Sequence, residues 1–167
     1  MIPVHLVVMG VSGSGKTTIG QALALRLGWT FVDADAFHSA ANVAKMSSGQ
    51  PLDDADRAPW LEAIAAWLEA RRDENVVLAL SALRRTYRAH FPSAQWIYLR
   101  VPREILAVRL AARVGHFFPP QLLNSQLAAF EEPTEEERVL TVDGTRAPEA
   151  IVDTIVAALP VRGQPSR

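Results

Sequence analysis

Eight consecutive residues, Gly10-Val11-Ser12-Gly13-Ser14-Gly15-Lys16-Thr17, match the pattern G-x-x-x-x-G-K-[ST] at every fixed position. An apolar run at 4–9 precedes them, and a helix predicted over 16 to about 27, stopped by Gly28, follows. Strand, glycine-rich turn and helix in that order form a phosphate cradle. The glycines let the backbone wrap an anion with its amide donors inward, and the helix N-terminus adds a partial positive charge. Lys16 is placed to reach the β- and γ-phosphates of a nucleotide, and the Thr17 hydroxyl to coordinate Mg²⁺. An ordinary glycine-rich turn would leave the lysine unexplained.

The rest of the chain continues the alternation. Apolar runs at 30–33, 76–80, 95–99 and 139–142 read as strands. Helical periodicity is predicted over 59–72, 102–114, 121–130 and 148–159, with Trp60, Leu61, Ile64, Trp67 and Leu68 forming the clearest stripe. Continuous apolar strands spaced by helices argue for a parallel sheet covered on both faces. The 167 residues, 49% of them hydrophobic, suit one domain over 1–160 with a loose tail at 161–167.

Charge and composition exclude several functions. Seventeen basic residues face 18 acidic ones, so no overall field favours nucleic acid or a membrane surface. Without cysteine there is no disulfide, thiolate metal site or cysteine nucleophile. No run approaches a membrane span, and the sequence reads as soluble and cytoplasmic. An N-K-x-D guanine motif is also missing, which favours a small phosphotransferase over a switch GTPase.

Beyond the cradle, Asp33-Ala34-Asp35 ends the second strand, and strand alternation would point both carboxylates the same way. One could hold a magnesium-bound water while the other accepts the proton of an attacking hydroxyl. Residues 37–60 are polar, carry His38, Asn42, Lys45 and Arg57, and lack a core stripe, as a substrate segment would or a bland surface helix-loop. Arg84, Arg85 and Arg88 follow the third strand and could clamp an anion or simply be solvated. Arg109 and Arg113 lie four apart before His116 and could swing over a transferring phosphoryl group.

Taken together the blocks resemble the gluconokinase family of small P-loop kinases. The resemblance spans about 7 to 156 and rests on Gly10–Thr17, on Phe31-Val32-Asp33-Ala34-Asp35 with His38, and on Asn42-Val43-Ala44-Lys45-Met46. It continues through Asp56-Arg57, Pro59-Trp60-Leu61, Ser81-Ala82-Leu83-Arg84-Arg85, and His116 with Ser125-Gln126. Ala34, Ala36, Leu80 and Phe118 depart from the family's usual residues. The resemblance implies a five-stranded parallel sheet flanked by helices, with a substrate-binding segment and a lid at roughly 113–130. It also implies ATP-dependent phosphorylation of D-gluconate to 6-phosphogluconate, with ATP and Mg²⁺ as cofactors and a homodimer as the expected assembly. On that basis Lys16, Asp35 and Arg113 are the expected catalytic residues. Gly10, Val11, Ser12, Gly13, Ser14, Gly15, Thr17, Thr18, Arg109 and Arg146 are expected at the nucleotide, with Thr17 and Asp33 at the metal. His38, Lys45, Arg57, Ser81, Arg85, His116 and Gln126 are expected, with Asp35, at the substrate. A kinase for shikimate or another sugar acid, and a non-catalytic nucleotide-binding module, are the alternatives.

Overall fold

Val76–Leu80 is buried at every position, which a strand can be only where both of its faces are covered. A computed structural model, which describes residues 3–113 and 120–159, shows how this is achieved. Strands β1 (His5–Met9), β2 (Thr30–Asp33), β3 (Val76–Leu80), β4 (Gln95–Arg100) and β5 (Leu140–Asp143) form one five-stranded sheet in the order β2-β3-β1-β4-β5. Every pairing is parallel. Successive side chains point to opposite faces. Val7, Met9, Val76, Leu78, Trp96 and Tyr98 therefore join one core, while Leu6, Val8, Val77, Ile97 and Leu99 join the other.

Helix α3 (Asp54–Glu69) covers the first face with Trp60, Leu61, Ile64 and Leu68. The second is covered by α1 (Lys16–Leu27) through Ile19 and Leu23, and by α7 (Pro148–Ala158) through Ile151, Val152 and Ile155. A third cluster joins Val11 and Leu83 to α5 (Arg103–Ala111) and α6 (Pro120–Ala129) through Leu106, Leu110 and Leu123. No helix among the described residues is long and apolar enough to cross a membrane.

The structure revises two of the sequence expectations and adds an element to a third. Asp35 does not continue β2: Ala34–Phe37 is a 3-10 turn, begun when the Asp33 carboxylate accepts the Asp35 amide at 2.9 Å. The alternation argument therefore fails for this pair. The polar stretch contains a helix, α2 (Ala40–Ser47), whose only buried residue is Asn42, so no apolar stripe announced it. Helix α3 begins five residues before Pro59, because Asp53 and Asp56 form a reciprocal capping box. The proline is accommodated inside, where it supplies no N–H to the Ala55 carbonyl. The lid assignment at 113–130 lies partly, and the tail at 161–167 wholly, outside the described residues.

One buried cation ties the loop after β3 to the chain beyond α6. Arg88, on the single turn α4 (Arg85–Arg88), is 4% exposed. It pairs with both Glu137 oxygens at 2.7 and 3.3 Å and donates to the Ala82 and Glu131 carbonyls at 2.9 and 3.1 Å. Burial pushes the Glu137 carboxyl up, but the Arg88 guanidinium and the Thr134 amide outweigh it and hold it below the usual carboxylate range. Arg88→Met strands that carboxylate and both carbonyls, so urea denaturation should show a loss of about 3–5 kcal/mol. A loss under about 1 kcal/mol, the worth of an exposed pair, would contradict this account.

Candidate active site

The sheet register collects the chemistry at one edge. Met9 pairs with Leu80, and Asp33 with Ala79, so the glycine-rich turn, Ser81 and the Asp33–Asp35 segment leave the sheet side by side. Here β1 lies between β3 and β4, the switch point of strand order at which open parallel sheets bind ligands. Gly15, at φ 96°, caps α1 in a left-handed conformation that favours glycine. A Cβ at Gly10 would lie 2.5 Å from Ser14 Oγ and 3.2 Å from the Leu99 carbonyl, so the turn tolerates no side chain there. Ser14 Oγ itself is buried and has no hydrogen-bond partner among the described residues.

Two cavities flank the turn. One is lined by Lys16, Asp35, His38, Arg57, Ser81 and Arg113, together with Ser12 and Gln126. The other is lined by Gly13, Ser14, Gly15 and Thr18 of the turn, together with Arg109, Arg113, Gly144 and Arg146. Arg113 borders both.

The side chains around the first cavity are held by specific partners. Lys16 Nζ donates to the Val11 carbonyl at 3.2 Å. Burial pushes its pKa down, opposed by the nearby Asp35 and Asp33 carboxylates. Asp33 has a partner on each oxygen: one accepts the Thr17 hydroxyl at 2.8 Å and the other the Asp35 amide at 2.9 Å. Asp35 is open by comparison, its side chain 80% exposed. Arg57 donates to the Tyr87 hydroxyl at 3.3 Å, and that hydroxyl donates to Asp54. Burial, then the bond to Asp54, raises the Tyr87 pKa and keeps its proton in place.

In the second cavity Arg109 donates to the Gly13 carbonyl at 3.2 Å and to the Gly144 carbonyl at 2.9 Å, joining the turn after β1 to the turn after β5. The Thr145 amide and hydroxyl both donate to Asp143, at 2.9 and 2.6 Å, and shape the turn that presents Gly144 and Arg146.

Two expected substrate residues stand apart from both cavities. Lys45 is paired with Asp56 at 2.6 Å, a bond that raises its pKa, and lines neither cavity. Arg85 is exposed and also lines neither. Of its arginine neighbours, Arg88 is spent on Glu137, and Arg84 lies 3.9 Å from Asp54. Gln126 is present, but both ends of its amide are used on Ser12. Its Oε1 accepts the Ser12 amide at 2.8 Å and its Nε2 donates to the Ser12 hydroxyl at 2.9 Å. His116 lies outside the described residues. Trp60, read from the sequence only as core, also lines the first cavity, where its indole stacks on His38 at 4.3 Å. No periodicity argument separates such a residue from its purely structural neighbours.

Comparison with known proteins shows the family and the fold. A family model described as shikimate kinase matches residues 12–160. The chain is 46% identical to a gluconokinase of Gluconobacter oxydans, over 92% of this chain and 90% of the relative. Among solved structures, a sugar kinase from Janibacter sp. superposes with a TM-score of 0.89 at 43% identity, covering 94% of each chain. A gluconokinase from Sinorhizobium meliloti superposes with a TM-score of 0.83 at 42% identity, covering 93% of this chain and 91% of that one.

Proposed function

Since the chain belongs to the gluconokinase family of small P-loop kinases, we propose that it transfers the γ-phosphoryl group of ATP to the terminal hydroxyl of D-gluconate, forming 6-phosphogluconate. The observation that carries this reading is the pair of cavities meeting at Arg113, one lined by the phosphate-binding turn and the other by Asp35, His38 and Arg57.

ATP occupies the second cavity, its phosphates on the turn's amides and Lys16, with Arg109 and Arg146 beside the nucleoside. The oxygens of Thr17 and Asp33, 2.8 Å apart, fit Mg²⁺, which commonly takes one or two protein oxygens and fills the rest of its shell with phosphate and water. Among the described residues no three His, Cys, Asp or Glu side chains converge to hold a metal alone, so the phosphates would supply much of the coordination. When bound, the ion would offset the negative charge of the phosphates.

Gluconate occupies the first cavity. Arg57, its guanidinium steadied by Tyr87, meets the carboxylate. Ser81 and His38 meet hydroxyls, and Asp35 accepts the proton of the attacking one. Asp35 suits this task better than Asp33, whose two oxygens are already engaged. Arg113 and Lys16 stabilise the charge on the group in flight. Lys45 acts from behind this surface by bracing the start of α3, and Gln126, in the cavity wall, by fixing Ser12. Cytoplasmic residence belongs to the same reading because the reaction consumes ATP, and a homodimer belongs to it through the family resemblance alone.

An acceptor panel at fixed Mg-ATP tests this, with ADP release as the readout. Gluconate should support turnover well above shikimate and the acceptor-free background, because a site built to pair hydroxyls rejects acceptors that leave its polar groups unpaired. Faster turnover of shikimate would overturn the choice of acceptor.

A further inference from the structure

The first cavity contains an imidazole whose proton position is set by its surroundings. The His38 side chain is only 4% exposed and lies 11° from parallel to the Trp60 indole. Trp60 donates its Nε1–H to the Ala34 carbonyl at 2.8 Å, which pins the stacking surface to the turn carrying Asp35. Stacking alone does not choose between the two ring nitrogens, since a half-turn of the ring preserves it.

Asn42 makes that choice. It is one of the few buried polar residues, 7% exposed, on the helix that follows His38. Its Nδ2 donates to the Asp56 carbonyl at 3.0 Å and faces His38 Nδ1 at 3.4 Å. A backbone carbonyl can only accept, so this position belongs to the amide nitrogen and not to the amide oxygen. The nitrogen has two hydrogens, one for Asp56 and one for His38. A donor aimed at Nδ1 requires a lone pair there, which leaves the proton of the neutral ring on Nε2. Nε2 is the atom that faces Asp35, 4.0 Å from Oδ1. That gap is too wide for a direct hydrogen bond and leaves room for a hydroxyl oxygen to bridge.

We infer that Asn42 is a positioning residue that fixes His38 as the Nε2–H tautomer, so that His38 donates to, and Asp35 accepts from, the same acceptor hydroxyl. The inference rests on the cavity being the acceptor site. The opposite tautomer would present a lone pair beside a carboxylate, and a hydroxyl has only one proton to give. Burial, with Arg57 nearby, keeps the ring neutral against the pull of Asp35 and Asp33.

Long-range ¹⁵N spectra of the ligand-free protein test this without relying on activity, with the His38 signals assigned by their loss in His38→Gln. In the wild type Nδ1 should be unprotonated and Nε2 protonated. In Asn42→Asp the carboxylate accepts in place of the amide and should draw the proton to Nδ1. The variant's kcat/KM for gluconate should fall about tenfold, the worth of one hydrogen bond, with KM for ATP unchanged. A protonated Nδ1 in the wild type would overturn the inference even if gluconate is phosphorylated, and it decides the matter should the variant not fold. An Asn42→Asp protein with the wild-type tautomer, or a loss confined to KM for ATP, would also overturn it. The expected tautomer in a protein that phosphorylates no sugar acid would instead refute the function on which the inference rests.

Discussion

Lys16→Ala should reduce kcat for phosphoryl transfer by about 10²–10³-fold, the usual cost of removing one aimed donor from a developing charge. The ammonium is held in the turn by the Val11 carbonyl at 3.2 Å and has carboxylates of Asp35 and Asp33 nearby. In the free protein burial works against its charge, so a bound polyphosphate restores favourable surroundings for that charge. The loss should therefore appear in kcat and in ATP affinity together. Lys16→Arg should rescue little, because a planar guanidinium cannot replace a compact ammonium inside the turn. Circular dichroism should be unchanged, since Lys16 opens α1 and lies outside the buried core. Kinetics of Lys16→Ala within about threefold of wild type would remove the turn from the mechanism.

Asp35→Asn should reduce kcat by about 10²–10⁴-fold while leaving ATP binding intact. Asparagine keeps the shape but cannot take a proton. The carboxylate is exposed in the free protein and forms no side-chain hydrogen bond among the described residues, so its loss should cost little stability. Asp33→Asn should behave differently. Asp33 receives the Thr17 hydroxyl and caps the 3-10 turn through the Asp35 amide, so its loss should weaken Mg²⁺ dependence and disturb the position of Asp35. Steady-state kinetics across a magnesium titration separates the two. Near-normal transfer by Asp35→Asn would show that another group accepts the proton.

Contiguous signals made much of this molecule legible in the sequence. The phosphate turn is eight adjacent residues, and each buried strand is a short apolar run between helical segments. Residues whose roles depend on distant partners were harder to read. Arg88 looked like a candidate anion ligand until its pairing with Glu137, 49 residues away, placed it in the interior. Lys45 is taken up by Asp56, and Gln126 reaches Ser12 across 114 residues. Helix α2 was hidden because its one buried residue is an asparagine, although Ser39, which caps it through the Asn42 amide, was a usable signal. The Asp53/Asp56 box likewise marks the start of α3, five residues before Pro59.

On the proposed function, the two cavities meeting at Arg113 transfer a phosphoryl group to the terminal hydroxyl of a sugar acid. Correlated ³¹P–¹H NMR of the product from Mg-ATP and gluconate tests it most directly. A new phosphomonoester whose phosphorus couples to the C6 methylene protons, formed in step with ADP, is the predicted result. Inorganic phosphate alone, or a phosphomonoester at any other carbon, would contradict the assignment of this site.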